Sequence, residues 1–202
     1  MTSNLSTTFA LVCTLFCTAT LAQQKGSFTD KRDGKIYKTV KIGEQVWLAE
    51  NLNYNADGSK CYKDSTAYCK QYGRLYSWET SKTACCKGWH LPSKAEWEIL
   101  VAATGGEKVA GKYLKSTSGW KEHDGESSNG TDAYGFSTLP GGIGSSISDN
   151  FSYLGIYGLW WSSSEYSNDY AYYEGINNLY DDVNWHYGDK RRFYSVRCIK
   201  DN

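Results

Sequence analysis

The apolar positions of this chain change period along its length, and the changes mark out the elements. Ile36, Val40 and Ile42 alternate with polar neighbours, Gly43-Glu44 turns the chain, and Val46-Trp47-Leu48 resumes the alternation, which predicts a hairpin over residues 35–53. Residues 53–71 lose the pattern and read as a polar, turn-rich loop around Asp57-Gly58 that holds Cys61 and Cys69. Helical spacing then appears: Leu75, Trp78 and Cys85, following the breaker Gly73, predict a first helix ending near Cys85 and Gly88. The second helix has a stronger signature. Ser93-Lys94-Ala95-Glu96 is a capping box, in which the hydroxyl and the carboxylate each accept an orphan backbone N–H. Trp97, Leu100, Val101 and Thr104 supply one helix face, and Gly105-Gly106 ends it. From Gly111 to about Gly158 the chain is rich in Gly, Ser and Asn and reads as loops, with a strand-like piece over 134–139. Strands return at 159–164, 170–176 and 193–199. In the last, Tyr194, Val196 and Cys198 alternate with Ser195 and Arg197, so Cys198 is expected to face inward.

The start of the chain differs from the rest. Met1 to Ala22 contain no Asp, Glu, Lys or Arg, and the apolar run from Phe9 is shorter than a spanning helix, diluted by Thr, and ends in Thr20-Leu21-Ala22. This predicts a secretory signal over residues 1–22 followed by a single domain over 23–202, with no transmembrane helix in the mature chain. An uncleaved anchor and a lipid on Cys13 or Cys17 are the alternatives, and bulky Phe16 and Val12 count against the lipid. Cleavage leaves Cys61, Cys69, Cys85, Cys86 and Cys198 in an oxidising compartment, an odd number. No pair has C-x-x-C spacing and only three His are present, His90, His123 and His186, so disulfides are expected and a metal site is not.

Charge narrows the partners. With 22 Lys+Arg against 22 Asp+Glu in 202 residues, the formal net charge is zero, so the chain lacks the basic footprint of a nucleic-acid-binding protein. Eight Trp and 17 Tyr exclude a disordered chain and suit either a loop-rich aromatic core or an extracellular recognition surface.

Six ordered strings carry a resemblance: Trp47-Leu48-Ala49-Glu50-Asn51-Leu52-Asn53, Tyr72-Gly73-Arg74-Leu75-Tyr76-Ser77-Trp78 and Gly88-Trp89-His90-Leu91-Pro92-Ser93, then Gly135-Phe136-Ser137-Thr138-Leu139-Pro140-Gly141-Gly142, Trp160-Trp161-Ser162-Ser163-Ser164-Glu165 and Ser195-Val196-Arg197-Cys198. From about Phe28 onward the chain resembles the Fibrobacter succinogenes major paralogous domain, a family of secreted or surface proteins. It is more distantly similar to formylglycine-generating enzymes and to C-type-lectin-like domains. The resemblance implies an α+β fold of two helices, a small antiparallel sheet and long irregular loops. It also implies that Cys86 stands where relatives carry proline before Lys87-Gly88-Trp89, which makes Cys86 the extra cysteine and pairs Cys61 with Cys69 and Cys85 with Cys198. The chemistry of those distant families does not carry over. The C-terminal part holds only Cys198, where copper-dependent formylglycine-generating enzymes use a cysteine pair, and the calcium-ligand signatures of sugar-binding lectins are missing.

The candidate chemistry is correspondingly thin. His90 has no nucleophile motif near it and reads as a packed, hydrogen-bonded histidine. Glu165, Asp169, Glu174, Asp181 and Asp182 read as a solvated acidic surface before they read as a glycosidase pair or a calcium site. The segment 166–187 interleaves Tyr166, Tyr170, Tyr172, Tyr173, Tyr180, Trp185 and Tyr187 with amides and carboxylates, a composition that packs a sheet or stacks on sugar rings. Within it Trp185, Tyr187, Tyr180, Asp181, Asp182 and Asn184 are the expected ligand contacts, with Trp185 and Tyr187 in a turn-rich stretch. The expectation is an exported, non-catalytic binding or adhesion domain at the cell surface, without cofactor, whose partner is extracellular polysaccharide. An enzyme related to formylglycine-generating enzymes and an envelope protein that binds other proteins are the alternatives.

Overall fold

The structure is a computed structural model that describes residues 24–148 and 150–202; the expected signal segment lies outside the described residues. In chain order the elements are β1 (Lys25–Thr29), β2 (Ile36–Ile42), β3 (Gln45–Leu48), α1 (Thr66–Tyr72), α2 (Trp78–Ala84), β4 (Trp89–His90), α3 (Lys94–Ala103) and α4 (Glu107–Leu114). Then come β5 (Ile143–Ser145), β6 (Asn150–Ser152), β7 (Tyr157–Glu165), β8 (Tyr170–Asn177), β9 (Asn184–Asp189), β10 (Arg192–Phe193) and β11 (Ile199–Lys200). They form a mixed α+β fold with three small antiparallel sheets, ordered β1-β2-β3-β11-β4, β10-β5-β6 and β7-β8-β9.

The hairpin at 35–53 forms as expected, with Val40 opposite Trp47 and Ile42 opposite Gln45. The buried residues of β2 are Tyr37, Val40 and Ile42; Ile36, expected inward, shares the phase of Val40 and Ile42 but is 69% exposed at the start of the strand, where it pairs with Thr29 at the end of β1. The capping box of α3 is complete, since Ser93 Oγ accepts from Glu96 N and Glu96 Oε2 accepts from Ser93 N at 2.7 Å. His90 is hydrogen-bonded, as expected: its ring nitrogens lie 2.7 Å from Asp201 and 2.8 Å from Glu96, although the ring is partly exposed.

Four α-helices are present among the described residues, where the sequence predicted two. The segment expected as a featureless loop holds α1, which the Cys61–Cys69 disulfide ties to the preceding turn, and Tyr62, Leu75 and Phe193 give it a small core of its own. Helix α4 begins directly after Gly105-Gly106 and contains Gly111, a residue that weakens any helical reading. Here the glycine answers to packing: a Cβ at 111 would lie 2.7 Å from the carbonyl oxygens of Asp181 and Asp182. The helix expected to follow Gly73 starts only at Trp78, capped by Ser77, because Leu75 instead exchanges backbone hydrogen bonds with Lys60. The last predicted strand is split into β10 and β11, and the chain between them bridges to Tyr76 and Trp160. The stretch 184–189, expected as turns, is strand β9.

Both disulfides form with the expected pairing, Cys61–Cys69 and Cys85–Cys198, and Cys86 is the free cysteine among the described residues. Cys198 faces inward at 1% exposure.

One buried charge joins the parts. Arg197 is fully buried, and no carboxylate lies within salt-bridge distance among the described residues. Its Nη1 donates to the carbonyls of Leu48 and Phe136, and its Nη2 donates to Asn51 Oδ1 at 2.9 Å and to the Ser137 carbonyl at 3.3 Å. Asn51 Oδ1 also accepts from Trp160 Nε1 at 2.8 Å, while its Nδ2 donates to the Tyr72 carbonyl at 2.9 Å. Gly73 follows at φ +78°, and a Cβ there would meet Asn51 at 2.7 Å.

Two stability predictions follow from this packing. Asn51→Leu leaves the Trp160 N–H, the Tyr72 carbonyl and one Arg197 N–H buried without partners, at roughly 1–3 kcal/mol each; urea melts should show a loss of about 3 kcal/mol or more. Cys198→Ser opens a loop of 113 residues and should cost roughly 4–5 kcal/mol in the chain-entropy model, while Cys86→Pro should melt like the parent because Cys85 already sits at φ −68°, ψ 143°. A Cys86–Cys198 bridge in non-reducing peptide maps would contradict the second.

Candidate functional site

The sheet β7-β8-β9 lies between two cores, and strand alternation sends neighbouring residues to opposite faces. Trp160, Ile176 and Val183 enter the core formed with Trp97, Leu100, Ala110 and Leu114. Leu159, Trp161 and Ala171 enter the other, with Tyr76, Trp78 and Tyr194. Cross-strand pairs carry the split into the hairpin: Glu174 stands opposite Trp160 and Trp185, and Tyr173 stands opposite Trp161 and His186.

On the Tyr173 face, beyond the core, opens a cleft of about 460 Å³. Its aromatic walls are Tyr153, Tyr157, Tyr173, Tyr180, His186 and Tyr194. These rings hold one another: Tyr153 and Tyr157 meet edge to face at 5.2 Å, His186 stacks on Tyr173 at 5.5 Å, and Tyr173 meets Tyr194 at 4.7 Å. Burial raises the Tyr173 and Tyr194 phenols above their ordinary range, so both are protonated hydroxyls at any physiological pH. The polar groups of the cleft are the amides of Asn177 and Asn184, the Arg192 guanidinium and the Asp182 carboxylate. Asp182 Oδ1 is buried with no hydrogen-bond partner among the described residues.

The six expected contact residues therefore divide. Tyr180, Asp182 and Asn184 line the cleft. Asp181 turns instead toward a neighbouring polar recess, where it stands 3.5 Å from the buried Lys115 ammonium; Lys115 also donates to the Tyr180 carbonyl at 3.0 Å. Trp185 and Tyr187 lie on the opposite face of β9. Trp185 is partly buried against the first core, with Lys94 Nζ 4.9 Å from its ring centroid. Tyr187 is 54% exposed, but one ring face is covered by Tyr166, stacked at 4.1 Å and 7°. Tyr153, Tyr157, His186, Arg192 and Tyr194 of the cleft were not singled out as ligand contacts by the sequence reading. Reading 184–189 as a strand would have found His186, because Asn184 and His186 then share a face and Trp185 and Tyr187 share the other.

The acidic set needs one correction. Glu174, expected as part of a solvated surface, is 1% exposed, and burial pushes its carboxyl up to about 8. Glu165 does lie at the surface, paired with Lys190 at 2.6 Å. Among the described residues no cluster of three His, Cys, Asp or Glu side chains is arranged to hold a metal ion.

The model of the Fibrobacter succinogenes major domain family matches residues 40–200, and the chain belongs to that family. No curated protein and no solved structure matches the chain.

Glu174 makes stability depend on pH. Its folded value of about 8 lies above the ordinary carboxyl value of 4.5, so between these the folded state holds a proton that the unfolded chain has lost. Stability from this group is thus greatest below about 4.5 and falls as pH rises toward about 8. Glu174→Gln should raise the thermal midpoint near pH 8 and flatten this decline; an unchanged slope in the variant would assign the decline to other groups.

Proposed function

We propose that this domain is an exported, non-catalytic binding module that holds polysaccharide in the tyrosine-lined cleft. The observation that carries the reading is the composition of one recess. Tyr153, Tyr157, Tyr173 and Tyr180 present rings to a volume of about 460 Å³ that is also lined by Asn177, Asn184, Arg192 and Asp182, whose Oδ1 is buried without a hydrogen-bond partner among the described residues. Sugar rings offer apolar C–H faces to aromatic side chains and hydroxyls to amides and carboxylates, and this cleft supplies both kinds of partner at once. Among the described residues Asp182 is the only carboxylate in its lining, whereas glycosidic hydrolysis uses two, which supports binding over turnover. Two disulfides support an oxidising, extracytoplasmic setting. Among the described residues no helix is long and apolar enough to cross a membrane. The fold reading goes further than the α+β class, to the C-type-lectin-like and formylglycine-generating-enzyme-like architecture. The pairing of β11 with β3, which closes the C-terminal end of the chain onto the first hairpin, and the long loop region after α4 support it.

Retention of the purified protein on insoluble cellulose or xylan tests this function. Tyr180 is 60% exposed and Asn184 is exposed, so Tyr180→Ala and Asn184→Ala should leave the thermal midpoint in place. Each should weaken retention about tenfold, equivalent to about 1.4 kcal/mol. Parent and variants washing through both matrices alike would remove polysaccharide as the ligand.

A further inference from the structure

The opposite face of the β7-β8-β9 sheet carries a smaller recess of about 160 Å³, between α3, the start of α4 and the β8-β9 hairpin. Glu174 is its floor, Trp185 and Val183 form one wall, Val101 forms another, and Glu98 and Glu107 stand at the mouth. Glu174 is 1% exposed. Its Oε1 accepts from the Gly175 backbone N–H at 3.3 Å, while Oε2 is buried with no partner among the described residues. A buried acceptor left this way is costly, and Glu174 is one of the residues that line the recess.

The surroundings select the donor. Glu98 and Glu107 add negative potential from two helices, and Lys94, the cation that acts on Glu174, is already engaged with Glu98 and lies beside the Trp185 ring instead of lining the recess. The carboxylates are not arranged as a metal-holding cluster. An ammonium group needs no converging ligand shell: one N–H can donate to Glu174 Oε2 while the indole face and the two outer carboxylates stabilise the charge. We propose that this recess binds a primary ammonium group, such as that of an amino sugar, through Glu174 and Trp185, within the field of Glu98 and Glu107. Before binding, the Glu174 carboxyl is protonated at neutral pH, because burial holds it near 8. The ammonium ligand is bound by the carboxylate, so Glu174 gives its proton to the buffer as the ion pair forms. No covalent bond is made, and charge balances with about one proton released per ligand. The site is on the other face of the sheet from the tyrosine-lined cleft and stands independently of the polysaccharide reading.

Calorimetric titration of the intact protein near pH 7 with D-glucosamine, methylamine, D-glucose and calcium chloride, in two buffers of different protonation enthalpy, tests the proposal. Both amines should bind with release of about one proton, and glucose should not bind in this way. Glu174→Gln should abolish the proton release and weaken amine binding about tenfold or more. Trp185→Leu should weaken amine binding while leaving the release per bound ligand intact. Glucose binding that Glu174→Gln weakens as much as it weakens glucosamine binding would move the interaction in this recess to the sugar ring and overturn the proposal. So would calcium binding that Glu174→Gln removes, or the absence of any heat from the two amines.

Discussion

A guanidinium held in the interior without a carboxylate partner among the described residues is the constraint on which the fold turns. Removing a charge from water is expensive, and Arg197 is offered the partial charges of three carbonyls and one amide oxygen and the face of the Phe136 ring, 4.5 Å away, in return. Burial accordingly weakens its hold on its proton. Such a site tolerates little movement, because each oxygen that drifts away leaves a buried N–H unpaired. The chain segments that supply those oxygens are therefore fixed relative to one another: the end of β3, the loop after α4 at Phe136-Ser137, and Asn51. Asn51 then passes the constraint to β7 through Trp160 and to the end of α1 through the Tyr72 carbonyl.

The strings by which the family is recognised receive a physical meaning from this node. Leu48 and Asn51, Tyr72, Phe136 and Ser137, Trp160, and Arg197 come from five of the six strings and meet within one hydrogen-bonded network. The sixth, around Trp89 and Pro92, joins through the pairing of His90 with Ile199 and the bond from Ser163 N to the Pro92 carbonyl at 2.8 Å. Indole N–H groups serve as long struts elsewhere, Trp78 to the Ser162 carbonyl and Trp161 to the Tyr76 carbonyl, both at 2.8 Å. A core this rich in Trp and Tyr can be both apolar and hydrogen-bonded because each ring brings a donor to its edge.

Legibility from sequence followed the strength of local signals. The β2-β3 hairpin, the capping box of α3, and strands β7 and β8 were readable because alternation, capping chemistry and Gly breaks act within a few residues. Helix α4 was hidden because Gly111 is dictated by the backbone of residues 181–182, which are distant in sequence. Glu174 read as solvated because its burial depends on Trp160 and Trp185 standing opposite it in neighbouring strands. The candidate site was half legible for the same reason. Its composition was visible in the 166–187 segment, but assigning residues to faces required the register of β9, and a strand read as turns gives no register.

That register also separates scaffold from recognition. The residues lining the tyrosine cleft, from Ile143 through Tyr194, all fall outside the six strings, whereas the Arg197 network is built from within them. Substitutions at Tyr153, Tyr180, Asp182 or Asn184 alter the cleft without touching an oxygen that Arg197 needs. The scaffold can hold its geometry while the lining of the cleft changes, which is the arrangement a binding family requires if one fold is to meet several ligands. The smaller recess is coupled more tightly: Glu174 lies opposite Trp160, whose indole N–H is bound to Asn51, so changes at its floor are felt one residue away from the central network. Variation in the outer cleft is therefore independent of the central network, and a change of side-chain volume at Glu174 is not.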